Sequence, residues 1–110
     1  MKINAISIAV LAGALGVCAP AFADATLVSE KQCMQCHKVK EDFAGPSFQK
    51  IAARWKGKKN AEEMLVATIR KGSGREGLEH WGKARMPDDS ERPLVSEDEA
   101  KKMVKWILTQ

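Results

Sequence analysis

The 110-residue sequence predicts an all-α domain of about four helices. Apolar residues recur at helical spacing in three segments after residue 46, and two of these segments open with a capping-box pattern. No segment has a convincing strand pattern. A third observation is the pentapeptide Cys33-Met34-Gln35-Cys36-His37, which places two cysteines and a histidine on one short stretch of chain.

Residues 1–23 are predicted to form a secretory signal peptide. Lys2 precedes an apolar run from Ile3 to Val17, and Ala21-Phe22-Ala23 provides the small residues of a cleavage site. The run contains polar residues and is too short for a membrane-spanning helix, so a retained anchor is the weaker alternative. Cys18 is expected to be removed with the signal, because the preceding Val17 is large for lipid attachment. One domain, residues 24–110, remains.

The first helix of that domain is expected to run from about Thr26 into the pentapeptide. On a helical turn Cys33 and Cys36 are three positions apart and His37 is four beyond Cys33, so all three face one side. The pattern C-x-x-C-H is the attachment signal of c-type haem: both thiols form covalent bonds to the haem, and the imidazole is placed to reach the iron. The sequence therefore predicts one covalently attached haem c.

Three other interpretations of the pentapeptide stay open. A thioredoxin-like dithiol normally begins a helix inside a βαβ unit, which the sequence does not predict. A structural zinc ion would find a fourth ligand only in His80, without a second paired motif. The remaining alternative is a disulfide between Cys33 and Cys36.

The second and third helices follow from periodicity. The second begins near Ser47, carries apolar residues at helical spacing and ends at Gly57. The third begins with Asn60 as N-cap, with Glu63 completing a capping box, and stops at Gly72. The expected buried faces are Phe48, Ile51, Ala52 and Trp55 in the second helix, and Ala61, Met64, Leu65 and Thr68 in the third.

The last helix has the clearest pattern. Ser96 and Glu99 form a capping box, and acidic residues open the helix before lysines, as the helix dipole favours. The apolar face that follows is Ala100, Met103, Val104, Ile107 and Leu108.

The segment between Gly72 and Val95 has no helical periodicity, and loops of this length usually carry function. Met86, followed by Pro87, is the candidate sixth iron ligand, because a thioether on an extended loop can approach the open haem face. His80 is the competing ligand. Met64 and Met103 lie on apolar helix faces, which favours core packing for both.

These features resemble the small monohaem bacterial class I cytochromes c that serve periplasmic nitrite reductases and terminal oxidases. The resemblance covers the whole mature chain and implies the cytochrome c fold and a periplasmic location. The sequence segments that carry it are Cys33 to His37, Ala44 to Phe48, the Gly72 to Gly74 turn, His80-Trp81-Gly82 before Met86-Pro87, and the C-terminal Lys105-Trp106-Ile107-Leu108.

The resemblance also implies roles for single residues. His37 and Met86 would be the axial iron ligands, and the Pro46 carbonyl would accept a hydrogen bond from His37 and fix its ring. Trp81 would lie near a haem propionate. Trp106 would pack against the first helix.

The sequence departs from the family around Met86. Such cytochromes commonly have proline and an apolar residue before the ligand methionine and asparagine shortly after it, whereas this chain has Lys83-Ala84-Arg85 and Asp88-Asp89. A cation at Arg85 could raise the reduction potential or select an acidic partner. Residues 74–80 could form a docking surface.

With both axial positions filled, the iron offers no open site, so we expect a one-electron carrier rather than an enzyme. Without Lys2 the chain has 17 basic and 14 acidic side chains, interleaved, which does not suggest nucleic-acid binding. The expected partners are redox proteins that dock transiently with a monomer that has no membrane span. A haem subunit of a periplasmic dehydrogenase is the alternative, and a haem enzyme or ligand sensor with an open sixth site is a weaker one.

Overall fold

The computed structural model describes residues 13, 16, 21–74 and 84–110. These ranges contain four α-helices and no β-strand, as the sequence predicts. The helices are α1 (Ala21–Glu30), α2 (Phe48–Trp55), α3 (Ala61–Lys71) and α4 (Glu97–Leu108), and a short 3₁₀ helix (Cys33–Gln35) follows α1. Across the same ranges, no helix has the length and hydropathy that crossing a bilayer requires.

The pentapeptide does not continue α1, so the prediction of one helix running into it is wrong. α1 ends at Glu30, and Gln32 adopts a left-handed conformation with φ of 64°. That conformation breaks the α-helical path, and the chain restarts as the 3₁₀ helix. Cys36 follows this helix as its C-cap, and its N–H donates to the Cys33 carbonyl at 3.2 Å.

α2 and α3 differ in how they begin. Ser47 has an extended backbone (φ −62°, ψ 152°), and its hydroxyl accepts a hydrogen bond from the Lys50 N–H, which caps α2. Asn60 precedes α3 with φ −98° and ψ 10°, and its side chain makes no cap hydrogen bond. The predicted Asn60–Glu63 capping box is therefore absent, because the Asn60 backbone lacks the extended conformation usual at an N-cap.

α4 is the central helix of the core. It packs against α1, α2 and α3, and its Ala100, Met103 and Val104 are almost completely buried. The predicted capping box is present, with Ser96 and Glu99 each bonding the other's backbone N–H. Trp106 packs edge-on against Phe48 of α2, with ring centroids 5.3 Å apart.

The 38–47 loop connects the 3₁₀ helix to α2 and holds the start of that helix. The carbonyls of Lys38 and Val39 accept hydrogen bonds from the first N–H groups of α2, at 2.9 and 3.0 Å. Asp42 accepts a hydrogen bond from the Ser47 N–H at 2.9 Å and pairs with Lys50. The residues immediately after the pentapeptide are thus fixed against α2.

Candidate haem-binding site

A cavity of about 360 Å³ opens between the pentapeptide, α2, α3 and the loop that contains Met86. Ligand pockets in proteins have volumes of about 300–1,000 Å³, so the cavity is of ligand size. Cys36 and His37 contribute to one part of its wall, and Met86 and Pro87 to another. The structure therefore brings Cys36 and His37 of the predicted attachment motif and the predicted sixth ligand to one cavity, whereas Cys33 is not among its lining residues.

His37 is held in a single orientation. Its Nδ1 lies 2.7 Å from the Pro46 carbonyl oxygen, the hydrogen bond that the family resemblance implies. A carbonyl only accepts hydrogen bonds, so Nδ1 carries the proton, and the lone pair of the neutral ring is on Nε2. His37 is only 8% exposed. Burial lowers the pKa of His37, although the bond to Pro46 opposes this, and the neutral form that can bind a metal is favoured.

The two faces of the His37 ring are restricted by its neighbours. Phe48 stacks on the ring with a centroid distance of 5.3 Å and an interplanar angle of 22°. Gly45 approaches so closely that a Cβ atom there would lie 2.8 Å from His37 Cε1. Gly45 is itself fixed, because its N–H donates to the Cys36 carbonyl at 2.9 Å. Only glycine leaves the space that this ring position requires.

Met86 is tied to the end of α3 through its backbone. The Met86 N–H donates to Ser73 Oγ at 2.8 Å, and the Ser73 N–H donates to the Met86 carbonyl at 3.1 Å. Gly72 has φ of 74°, and a Cβ atom there would lie 2.5 Å from the Met86 carbonyl oxygen. The Gly72-Ser73 turn therefore fixes the position of the Met86 backbone at the cavity wall.

Cys33 and Cys36 are both free thiols, so the disulfide alternative is not formed. Cys36 lines the cavity, and Cys33 packs against the apolar core. Burial raises the pKa of the Cys33 thiol, and the positive charge of Arg92 opposes that rise. Within the described ranges no three histidine, cysteine or acidic residues are grouped as a metal site.

The wall of the cavity fits a haem, which is a flat apolar ring with two carboxylates. Apolar side chains such as Ile51, Trp55 and Leu65 form much of it. Among the described residues the wall also includes the basic side chains Lys50, Arg54 and Arg85 and no carboxylate, although Lys50 pairs with Asp42 and Arg85 with Glu91 outside the wall. An apolar site bordered by positive charge suits the ring and its two carboxylates together.

Some site residues have positions or roles that the sequence did not predict. Met64 lies on the cavity wall and not in the apolar core, so the expectation of core packing is wrong for it, whereas Met103 is 1% exposed as expected. The role of Ser73 was not predicted, because a contact between residues 73 and 86 leaves no local pattern. Trp81, His80 and the suggested docking segment from residue 75 onward lie outside the described residues.

Comparison with known proteins identifies the family of the chain. The cytochrome c family model matches residues 24–110. Cytochrome c-552 of Nitrosomonas europaea is 38% identical over 98 residues, which cover 89% of this chain and 88% of that protein. Cytochrome c-552 of Hydrogenobacter thermophilus is 33% identical over 99 residues, with coverages of 90% and 93%.

The fold comparison gives the same result. The crystal structure of wild-type Nitrosomonas europaea cytochrome c552 aligns with a TM-score of 0.65 and 34% identity, covering 77% of this chain and 96% of that one. The chain therefore belongs to the cytochrome c family, as a small class I monohaem cytochrome that carries one covalently attached haem c.

Proposed function

We propose that this cytochrome is a periplasmic one-electron carrier, with His37 and Met86 as the axial iron ligands and Cys33 and Cys36 as the thioether anchors. The observation that carries the proposal is the cavity shared by His37 and Met86, each fixed by hydrogen bonds of its own. Haem c supplies a one-electron Fe(III)/Fe(II) couple. The protein residues hold this group in one geometry.

The contacts of the two ligands suit electron transfer more than ligand exchange. Pro46 and Phe48 hold the His37 ring, and Ser73 holds the Met86 backbone through two hydrogen bonds. Ligands fixed in this way need little reorganisation when the iron changes charge. The proposal therefore favours a carrier that docks briefly with redox partners through small interfaces over an enzyme with an open coordination site.

The periplasmic location follows from the proposed signal peptide. The match to the family model begins at residue 24, where the mature chain is proposed to start. Export would bring Cys33 and Cys36 to an oxidising compartment, where covalent attachment to haem leaves no free thiol in the mature chain.

The test is the visible spectrum of holoprotein from a cell that matures c-type haem, oxidised in air and then reduced with dithionite. We expect the weak far-red sulfur-to-iron band in the oxidised protein and sharp low-spin peaks in the reduced protein. Two matched variants assign the sulfur, because both methionines line the cavity: Met86→Leu should abolish the band, and Met64→Leu should keep it.

Other outcomes would overturn the assignment. If the band is lost in Met64→Leu and kept in Met86→Leu, Met64 is the ligand. If the wild-type protein has no such band, His80 or an open site takes the place of Met86. Rapid carbon monoxide binding by the reduced protein would then identify the open site and favour a sensor or enzyme.

A further inference from the structure

The chain after Met86 folds back toward it. Asp88 Oδ1 accepts a hydrogen bond from the Ser90 N–H at 2.9 Å, and the Asp88 carbonyl accepts one from the Glu91 N–H at 3.2 Å. This turn returns Arg92 to the start of the segment, where its Nε donates to the Pro87 carbonyl at 3.1 Å. The residue next to the proposed ligand is therefore held by a charged side chain five positions further on.

Arg92 and Arg85 are in different electrostatic surroundings. Arg85 Nη2 contacts both carboxylate oxygens of Glu91 at 2.9 Å, and both side chains are about half exposed. The charge of Arg85 is thus neutralised and screened by solvent. Arg92 Nη2 is buried and has no hydrogen-bond partner among the described residues. Arg92 as a whole is partly buried, so solvent screens its charge less than it screens the exposed Arg85–Glu91 pair.

Arg92 also acts on the pentapeptide. Its positive charge opposes the rise in the Cys33 thiol pKa that burial causes. Cys33 is one of the two haem anchors in the proposed function, and Pro87 adjoins the proposed ligand. The contact that Arg92 makes with the Met86 loop is its hydrogen bond to the Pro87 carbonyl.

We propose that Arg92 is a positioning residue for electron transfer, which holds the Met86 loop against the haem and raises the reduction potential through its partly buried positive charge. The inference rests on the proposed ligation by Met86. Its physical basis is twofold. The hydrogen bond to Pro87 restrains the backbone beside the ligand, and a nearby positive charge disfavours Fe(III), which carries one more positive charge than Fe(II).

The test compares Arg92→Gln with wild-type holoprotein in two measurements. The first is the reduction potential, which should fall in the variant. The second is the imidazole concentration that replaces Met86, followed as loss of the far-red band; it should fall roughly tenfold, since a charged donor is lost. Lys105→Gln removes the same charge from an exposed position on the last turn of α4 and should change neither measurement appreciably.

Arg92→Lys separates the effect of the charge from the effect of the hydrogen bond to Pro87. It can also be measured if Arg92→Gln does not yield holoprotein. Lysine keeps the charge but replaces the forked guanidinium with a single centre, which cannot donate to Pro87 in the same way. We expect a potential close to that of the wild type and a lower imidazole midpoint. A potential as low as in Arg92→Gln would contradict the role of the charge.

The measurements distinguish failure of the role of Arg92 from failure of the ligation by Met86. If wild-type protein shows the far-red band and Arg92→Gln matches Lys105→Gln in potential and imidazole midpoint, the role of Arg92 is overturned and Met86 ligation stands. If wild-type protein lacks the band, both the ligation and the role of Arg92 are overturned.

Discussion

Gly45 illustrates how much of the site depends on single atoms. Its missing Cβ leaves the space in which the His37 ring lies, and a methyl group there would approach Cε1 to 2.8 Å and Nδ1 to 3.1 Å. The ring has no room to retreat freely, because Phe48 stacks on it and Pro46 holds Nδ1. The orientation of His37 is therefore set by a backbone atom, a ring and a carbonyl.

Gly45→Ala should displace the His37 ring and destabilise the holoprotein by about 1–3 kcal/mol, as overpacking in a closed site does. The displacement should also change the visible spectrum, because the nitrogen that reaches the iron moves with the ring. Urea unfolding and the spectra of both oxidation states measure the two effects. Gly57→Ala is the matched control: its added methyl meets nothing within 4 Å, although its φ of 80° strains alanine.

The Gly57→Ala control separates the effect of backbone strain from the effect of displacing the His37 ring. Gly57→Ala should lose roughly 1 kcal/mol from its left-handed backbone and keep the wild-type spectrum. An unchanged spectrum in Gly45→Ala as well would show that the His37 ring tolerates the extra methyl and would contradict the argument.

At the scale of elements, two helix starts with similar sequence patterns have different structures. Ser96 lies in extended backbone and completes its capping box with Glu99, whereas Asn60 makes no side-chain cap hydrogen bond. The Lys58 carbonyl accepts a hydrogen bond from the first N–H of α3, that of Ala61, so part of the helix end is satisfied by the preceding turn. The two N-cap residues should therefore contribute unequally to stability.

Ser96→Ala should lower the free energy of unfolding by about 1 kcal/mol, the usual cost of a lost N-cap. Asn60→Ala should cost only a few tenths of a kcal/mol, because it removes no side-chain cap bond. Urea unfolding of both holoproteins gives the comparison. Equal losses in the two variants would mean that Asn60 caps α3 in solution.

The same contrast shows what the sequence could predict. Apolar spacing and capping patterns predicted α2, α3 and α4 with ends close to those observed, because periodicity is local information. The 3₁₀ helix was missed, since it depends on the left-handed backbone of Gln32, which no side-chain pattern indicates. The motif predicted His37, and the Pro87 context suggested Met86. Ser73 and the cavity position of Met64 depend on tertiary contacts and left no local pattern, and the bond from Arg92 to Pro87 depends on the turn at Asp88.

At the scale of the molecule, the helices form a core on one side and a cavity on the other. α4 gathers the buried side chains of α1, α2 and α3, while other residues of α2 and α3 face the cavity. Ile51 and Trp55 on α2 are partly exposed and line that space with apolar surface. Residues 24–110 form a small domain, and its core stabilises it only modestly. The apolar cavity wall destabilises the haem-free fold, because it is exposed to water until the haem covers it.

Haem removal should therefore unfold the domain. We expect residues 24–110, produced in a cytoplasm without haem attachment, to show little helical circular dichroism and no cooperative thermal transition, because the anchors at Cys33 and Cys36 and the contacts of His37 and Met86 are lost together. The holoprotein of the same residues is the control and should melt cooperatively. A haem-free chain with the helix content and sharp transition of the holoprotein would show that α4 and its packing suffice, and that the haem is added to a preformed fold.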